Sequence, residues 1–409
     1  MTRFFLKIEP LILLAVWAVL LFPVGWQALA LLILPLIVMN RRLATGHFFP
    51  RTPFDVAFLL LLTAVLVSLT IATFDITLSL VKIAGVLTGM SLYYTAVTLG
   101  KTNQHGRFLV LSFFLLAGTG IALAGLLGTR WPGPFAFLNR IGQQLPFWGQ
   151  IPGTIEGTVS TNELAGVLDW VVPIFAALAA GAIRQKRILL AFLLLAGTGF
   201  TAFILLATQS RGGILAMGVT TLVMLALAHP WGRWLATTAT GSIIGLLVYF
   251  RPWSLIGSTD ITTTDPGLTG RLEIWSRAIY ALQDFPFTGV SMNGFRVVVH
   301  ILYPLFLIPP DRDIAHAHNH ILQAGLDLGF PGMIAYLASW FVAIYLLWCA
   351  WRTGRERPLT IGLIGAFTAA WVYGIFDVIT LGARPGFLWW ILLAITTLHH
   401  EHTQNIEPH

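Results

Sequence analysis

Repeated apolar runs of membrane length constrain the fold of this chain more than any other feature. Residues 54–73, 76–98 and 108–127 are three of them, and each is long enough to cross a bilayer. Only 10% of the residues are charged, whereas soluble domains carry about 25%. Backbone groups in lipid must be satisfied internally, and runs of this length favour helices over barrel strands. The sequence therefore predicts an all-α integral membrane protein, with residues 1–409 forming one polytopic domain.

We expect twelve transmembrane helices. The N-terminal run resembles a secretory signal, but further spans follow it directly, so we interpret it as the first membrane hairpin, with a turn at 23–25. The predicted spans are 8–22, 25–39, 54–73, 76–98, 108–127, 162–183, 188–207, 212–228, 234–250, 331–351, 359–377 and 386–399.

Basic residues in the short connectors lie almost entirely on one side of this arrangement, and such connectors stay in the cytoplasm. The opposite short connectors contain only Arg211 and Arg384. Both termini are therefore expected in the cytoplasm, and the long loops 128–161 and 251–330 outside. The net charge of +7 has the same origin and does not indicate nucleic-acid binding. The cytoplasmic connectors contain Arg3, Lys7, Arg41, Arg42, Arg51, Lys101, Arg107, Arg184, Lys186, Arg187, Arg233, Arg352, Arg355 and Arg357.

The loop 128–161 is rich in glycine, proline and aromatic residues. This composition is typical of an aromatic belt at the membrane interface, and it also suits a lid or lateral gate over a lipid-linked substrate. Just after the loop, Asn162 is expected to cap the following helix and Glu163 to lie in its first turn.

Arg211 and Arg271 are candidate anion ligands on the outer side. Glycines follow Arg211, so backbone can come close to a bulky ligand. The guanidinium either extends to the membrane surface or binds phosphate oxygens. Arg271 precedes a predicted short helix at 272–282, where helix amides also favour an anion. Its alternative partners are Glu273 and Asp284.

Three alternate histidines, His316, His318 and His320, follow in the same loop. They are compatible with a zinc site, with simple surface histidines, or with one residue that moves a proton or orients a substrate. Cys349 lies within an apolar run, so no cysteine accompanies them. Asn319 is expected to cap the helix that starts near His320.

Taken together, these motifs resemble the O-antigen ligase superfamily, which contains bacterial membrane ligases and O-antigen polymerases. One departure concerns the acidic residue that the family commonly has directly before the glycine of the last motif, because Asp327 lies two residues before Gly329. The resemblance rests on Asn162-Glu163-Leu164-Ala165, Ser210-Arg211-Gly212-Gly213, Gly270-Arg271 with Trp275, Pro286-Phe287-Thr288-Gly289, His318-Asn319-His320-Ile321-Leu322-Gln323 and Leu328-Gly329-Phe330-Pro331-Gly332.

The resemblance implies a GT-C-like fold whose large periplasmic loop carries short helices. It also implies a glycosyltransferase of the bacterial inner membrane that acts in lipopolysaccharide biosynthesis without a metal ion or other cofactor. The donor would be a glycan on undecaprenyl pyrophosphate, and the acceptor lipid A-core oligosaccharide or another glycan. Arg211, Arg271 and His318 would be catalytic. Substrate contacts are expected from His316, Asn319, His320, Trp275, Arg296, Asn162 and Glu163.

Two alternatives stay open. An O-antigen polymerase would share the same motifs but extend the lipid-linked glycan itself. A transporter for an anion or other solute would instead use ionisable residues within the spans, namely Lys82, Asp169 and Asp377.

Overall fold

The structure is a computed structural model, and its described residues are helical, without a strand. The turn expected at 23–25, most of the loop 128–161 and the first part of the loop 251–330 lie outside the described residues. The described residues are 2–20, 32–71, 76–131, 135, 139–140, 142–145, 147, 159–250, 267–381 and 384–405.

Fourteen α-helices form within these described ranges. They are α1 (Thr2–Leu20), α2 (Ile33–Thr45), α3 (Asp55–Ile71), α4 (Ile76–Thr102), α5 (Gly106–Gly128), α6 (Thr161–Arg184), α7 (Ile188–Ala207), α8 (Arg211–Ala228), α9 (Pro230–Phe250), α10 (Gly267–Asp284), α11 (Phe295–Leu302), α12 (His320–Thr353), α13 (Arg357–Gly374) and α14 (Phe387–Asn405).

The prediction of a helical membrane protein is confirmed. Each of the twelve predicted spans overlaps one of these helices, although α2 begins at Ile33 and ends at Thr45, whereas its predicted span is 25–39. The other two helices, α10 and α11, lie in the second long loop. Six of the helices are long and apolar enough to cross a membrane by length and composition: α4, α5, α6, α7, α8 and α12. The total of twelve spans stays a prediction.

Helix α13 makes extensive contacts with two other helices. It packs against α6 and α8, while α12 packs against α3 and α14. A buried aromatic cluster fixes this arrangement: the ring centroids of Trp340 and Trp389 are 4.6 Å apart, and Trp170 lies 6.0 Å from Trp389. Large aromatic side chains bury much apolar surface and restrict helix position, so α6, α12 and α14 are held together at this cluster.

Helix α12 begins at His320, before its predicted span of 331–351, and continues through a kink at Gly329. Gly329 has φ +67°, and a Cβ there would lie 2.4 Å from the backbone carbon of Phe287. The freed backbone groups bind the segment 286–290: Val290 N–H donates to the Leu326 carbonyl at 2.7 Å, and Phe330 N–H donates to the Pro286 carbonyl at 2.7 Å. The motif Pro286-Phe287-Thr288-Gly289 therefore packs against the motif Leu328-Gly329-Phe330-Pro331-Gly332.

Candidate functional site

The segment between α11 and α12 contains His316 and His318 and is the histidine loop. It ends at Asn319, directly before α12. The Asn319 side-chain oxygen accepts the backbone N–H groups of Ile321 and Leu322, both at 3.0 Å, so the predicted cap is confirmed. His318, directly before it, has φ +49°, a left-handed conformation that non-glycine residues rarely adopt. Backbone strain of this kind persists where surrounding contacts hold it, often at functional sites.

His316 and His318 face one carboxylate, that of Asp377 in the turn after α13. His316 Nε2 lies 3.5 Å and His318 Nδ1 lies 3.6 Å from the same oxygen, Asp377 Oδ1. Both imidazoles are partly buried, and their ring centroids are 4.3 Å apart. These distances exceed those of well-formed hydrogen bonds, but such contacts are often long before a substrate binds.

The protonation of His316 follows from its surroundings. His318 N–H donates to His316 Nδ1 at 3.2 Å, so in the neutral ring the proton is on Nε2, which faces Asp377. Burial and the neighbouring His318 lower the pKa of His316 to about 3. Burial opposes ionisation of Asp377, but His318, His316 and the Val378 N–H outweigh it and lower the pKa of Asp377 below its usual range. A neutral His316 and an ionised Asp377 therefore flank His318 near neutral pH.

Tyr373 connects this carboxylate to the start of two helices. Its hydroxyl lies 3.1 Å from Asp377 Oδ2 and 2.7 Å from the carbonyl oxygen of Asn162, and it also interacts with Ser210. Asn162 is not the cap of α6, as the sequence analysis expected; Ser160 is, because its side chain accepts the Glu163 N–H. Asn162 is instead the second residue of α6 and contributes its carbonyl group to the contact with Tyr373.

Arg211 opens α8 beside this tyrosine. Ser210 caps the helix by accepting the Gly213 N–H, and a Cβ on Gly212 would lie 3.5 Å from the Tyr373 ring. The Arg211 side chain is exposed, and no hydrogen bond or ion pair joins it to another described residue. A guanidinium at a helix N-terminus without a carboxylate partner is suited to bind an anion.

Arg271 in α10 likewise lacks a hydrogen bond or ion pair within the described part of the chain. The two carboxylates considered as alternative partners are engaged elsewhere: Glu273 accepts the backbone N–H of Phe306 at 2.6 Å, and Asp284 accepts the Tyr303 hydroxyl at 2.6 Å. Arg271 is close enough to the histidine pair for its charge to contribute to the lowered pKa of His316. The structure thus brings positive charge from α10 to the same histidines.

The remaining residues expected at the site have other surroundings. His320 is 1% exposed, and its Nδ1 lies 2.7 Å from the Tyr336 hydroxyl between aromatic rings. Arg296 of α11 forms an ion pair with Asp313, and both side chains are partly exposed. Trp275 lies one turn after Arg271 in α10, with its indole N–H buried and without a described acceptor, and Glu163 lies in the first turn of α6 as predicted.

Asp377 and Tyr373 are site residues that the sequence analysis did not assign to the histidines. Asp377 was considered only as part of an ion path, because it ends an apolar span. The signal that was available is a carboxylate at the outer end of a helix, on the side where Arg211 and the histidines were expected.

The same three groups are the place where a metal ion fits best among the described residues. One ligand atom each from His316, His318 and Asp377 lies within 4.8 Å of the others. Two imidazoles and one carboxylate are a ligand set that zinc accepts. The cluster thus combines a possible metal-ligand set with an acid–base arrangement.

Comparison with protein families gives a match for residues 190–337, to the family model Wzy_C, described as O-antigen ligase. The matched segment contains Arg211, Arg271, His316 and His318, whereas Asp377 follows it. No curated protein matches the chain. The family match confirms the resemblance to the O-antigen ligase superfamily that was noted in the sequence, over residues 190–337.

Proposed function

We propose that the protein is an O-antigen ligase-type glycosyltransferase. It moves a glycan from undecaprenyl pyrophosphate to a sugar acceptor, lipid A-core oligosaccharide, at the periplasmic face of the bacterial inner membrane. The observation that carries this proposal is the His318–Asp377 pair, which is accompanied by two arginines without described partners. The reaction needs neither a metal ion nor another cofactor, because pyrophosphate is already a good leaving group.

The two arginines bind the diphosphate of the donor. Arg211 combines its charge with the N-terminal amides of α8, both of which favour an anion. Arg271 adds a second guanidinium from α10. As the glycosidic bond breaks, negative charge grows on the leaving pyrophosphate, and positive groups that are already in place stabilise it without reorganisation.

His318 accepts the proton of the attacking hydroxyl. Its Nδ1 faces ionised Asp377, which holds the ring and favours the imidazolium, and its Nε2 then takes the proton from the acceptor sugar. The acceptor oxygen forms the new bond to the anomeric carbon while the bond to the pyrophosphate oxygen breaks. This direct displacement inverts the anomeric configuration.

An apolar cavity of about 610 Å³ supports a lipid-linked donor. It lies between α8, α12 and α13, and its wall includes Trp340 and Trp371, whose rings also contact His320. Val372, next to Tyr373 of the site, lines the same cavity. We assign the first isoprene units of the undecaprenyl chain to this cavity, with the diphosphate toward Arg211.

Purified protein in detergent or nanodiscs, supplied with undecaprenyl-pyrophosphate-linked glycan and lipid A-core, tests the proposal. We expect a glycan-capped lipid A-core to form. A lengthened lipid-linked glycan would instead identify a polymerase. No transfer to any acceptor, together with solute flux in proteoliposomes, would refute the assignment in favour of a transporter.

A further inference from the structure

A buried polar network of Lys82, Asp327 and Gln323 contacts the histidine loop. Lys82 Nζ is 2.6 Å from Asp327 Oδ2, and Gln323 Nε2 donates to Asp327 Oδ1 at 2.9 Å. All three side chains are buried, with Asp327 and Gln323 at 0% exposure. Buried charges are costly unless they are paired and hydrogen-bonded, so the geometry of this network is tightly specified.

The network reaches the histidine loop through Gln323. Its side-chain oxygen accepts the backbone N–H of Ala317 at 2.8 Å, and Ala317 lies between His316 and His318. His318 has the strained left-handed backbone described above, which needs support from neighbouring groups. Gln323 thus connects α12 to the loop backbone through a side-chain hydrogen bond.

Asp327 connects Gln323 to three further parts of the fold. Its Oδ1 also accepts the Asn293 N–H at 3.1 Å, ahead of α11, and its carbonyl oxygen accepts the Ser68 hydroxyl of α3 at 2.8 Å. Lys82 comes from α4. Because Gln323 has one acceptor and one donor in use, its amide has a single orientation, and Asp327 fixes that orientation.

We propose that Gln323, oriented by the Asp327–Lys82 pair, is a positioning residue that holds His316 and His318 against Asp377. This inference rests on the proposed function for its kinetic consequence, but the placement of the histidines is measurable without glycan transfer. Asp327, two residues before Gly329, thereby acquires a role that the sequence did not assign.

The first test substitutes Gln323→Met, which keeps side-chain volume and removes both hydrogen bonds. We expect the transfer rate to fall about 10- to 100-fold with little change in KM for the donor, because misplaced reacting groups cost rate. Modification of His316 and His318 by diethyl pyrocarbonate, followed by mass spectrometry, should become faster. Tyr93→Phe is the matched control, since it removes a buried side-chain hydrogen bond, to Thr397, away from the site.

Gln323→Glu is a second variant that tests orientation through pH. The introduced carboxyl group faces Asp327, with Lys82 of α4 beyond it and His316 and His318 across the loop. Two adjacent carboxylates cannot both ionise readily. When the new group is protonated, it donates to Asp327 and accepts from Ala317, as the glutamine does. The rate of Gln323→Glu relative to wild type should therefore rise as pH falls.

Unchanged histidine modification in Gln323→Met, or a relative rate of Gln323→Glu that does not vary with pH, would overturn the inference. If Gln323→Met does not fold, the pH series of Gln323→Glu decides alone. If wild type transfers no glycan, the proposed function fails, and the modification rates still decide whether Gln323 positions the loop.

Discussion

Two groups of charged residues at opposite ends of the helix bundle differ in whether their charges are paired. At the end predicted to face the cytoplasm, Glu356 accepts two hydrogen bonds from Arg107, at 2.6 and 3.0 Å, and lies 3.3 Å from His399. At the other end, Arg211 and Arg271 have no carboxylate partner among the described residues. Paired charges stabilise a fold, whereas unpaired cations are available for a ligand. The difference agrees with the proposed binding of the donor diphosphate by Arg211 and Arg271.

Loss of His318 should have the largest effect. His318→Ala removes the group that accepts the acceptor's proton, and general bases contribute about 10²–10⁴-fold to rate. We expect kcat for glycan transfer to fall by that factor. His105→Ala, which changes an exposed histidine at the opposite end, is the control and should retain the wild-type rate. Wild-type transfer by His318→Ala would remove the histidine from the mechanism.

The unpaired arginines should come next. Charge-assisted hydrogen bonds contribute about 1.5–3 kcal/mol, so Arg211→Ala and Arg271→Ala should each lower kcat/KM about 10- to 100-fold. Lysine substitutions should lose less, because the charge is kept but the planar fork is lost. Arg312→Ala removes an exposed arginine of the same outer loop and serves as the control. An equal loss in Arg312→Ala would mean that only general positive charge matters.

A substitution in the cluster of Glu356, Arg107 and His399 should show the reverse pattern, a loss of stability without a loss of rate. Glu356→Gln is expected to lower the free energy of unfolding by about 1–2 kcal/mol, allowing for the partial exposure of the side chain. The measurement is the thermal unfolding temperature in detergent, which should fall. Burial opposes ionisation of Glu356, but His399 and Arg107 lower its pKa to about 2. Its stabilising contribution is therefore complete above pH 4.5 and is lost as pH falls toward 2. An unchanged unfolding temperature would show that the pairing is incidental.

Metal removal should have the smallest effect. Although His316, His318 and Asp377 lie close enough to hold an ion, the proposed chemistry does not use one. Transfer measured after treatment with EDTA, and again after adding Zn²⁺, should match the untreated protein. A rate that disappears with EDTA and returns with Zn²⁺ would instead make the cluster a metal site.

The sequence predicted the helices well because long apolar runs have few alternatives in a membrane. The start of α12 was missed, since Gly329 and Pro331 resemble the end of a loop, and the compensating hydrogen bonds come from residues 286–290. Asn319 was predicted correctly because a helix cap is a local interaction. The partnership of His318 with Asp377 depends on how the start of α12 packs against the end of α13, and no local pattern encodes that packing.

Binding of undecaprenyl pyrophosphate, measured directly on purified variants, tests the central claim that one outer site separates anion binding from proton transfer. We expect Arg211→Ala and Arg271→Ala to bind this lipid about 10- to 100-fold more weakly, and His318→Ala to bind it as wild type does and still fail to transfer glycan. Wild-type affinity in both arginine variants, or lost affinity in His318→Ala alone, would contradict the claim.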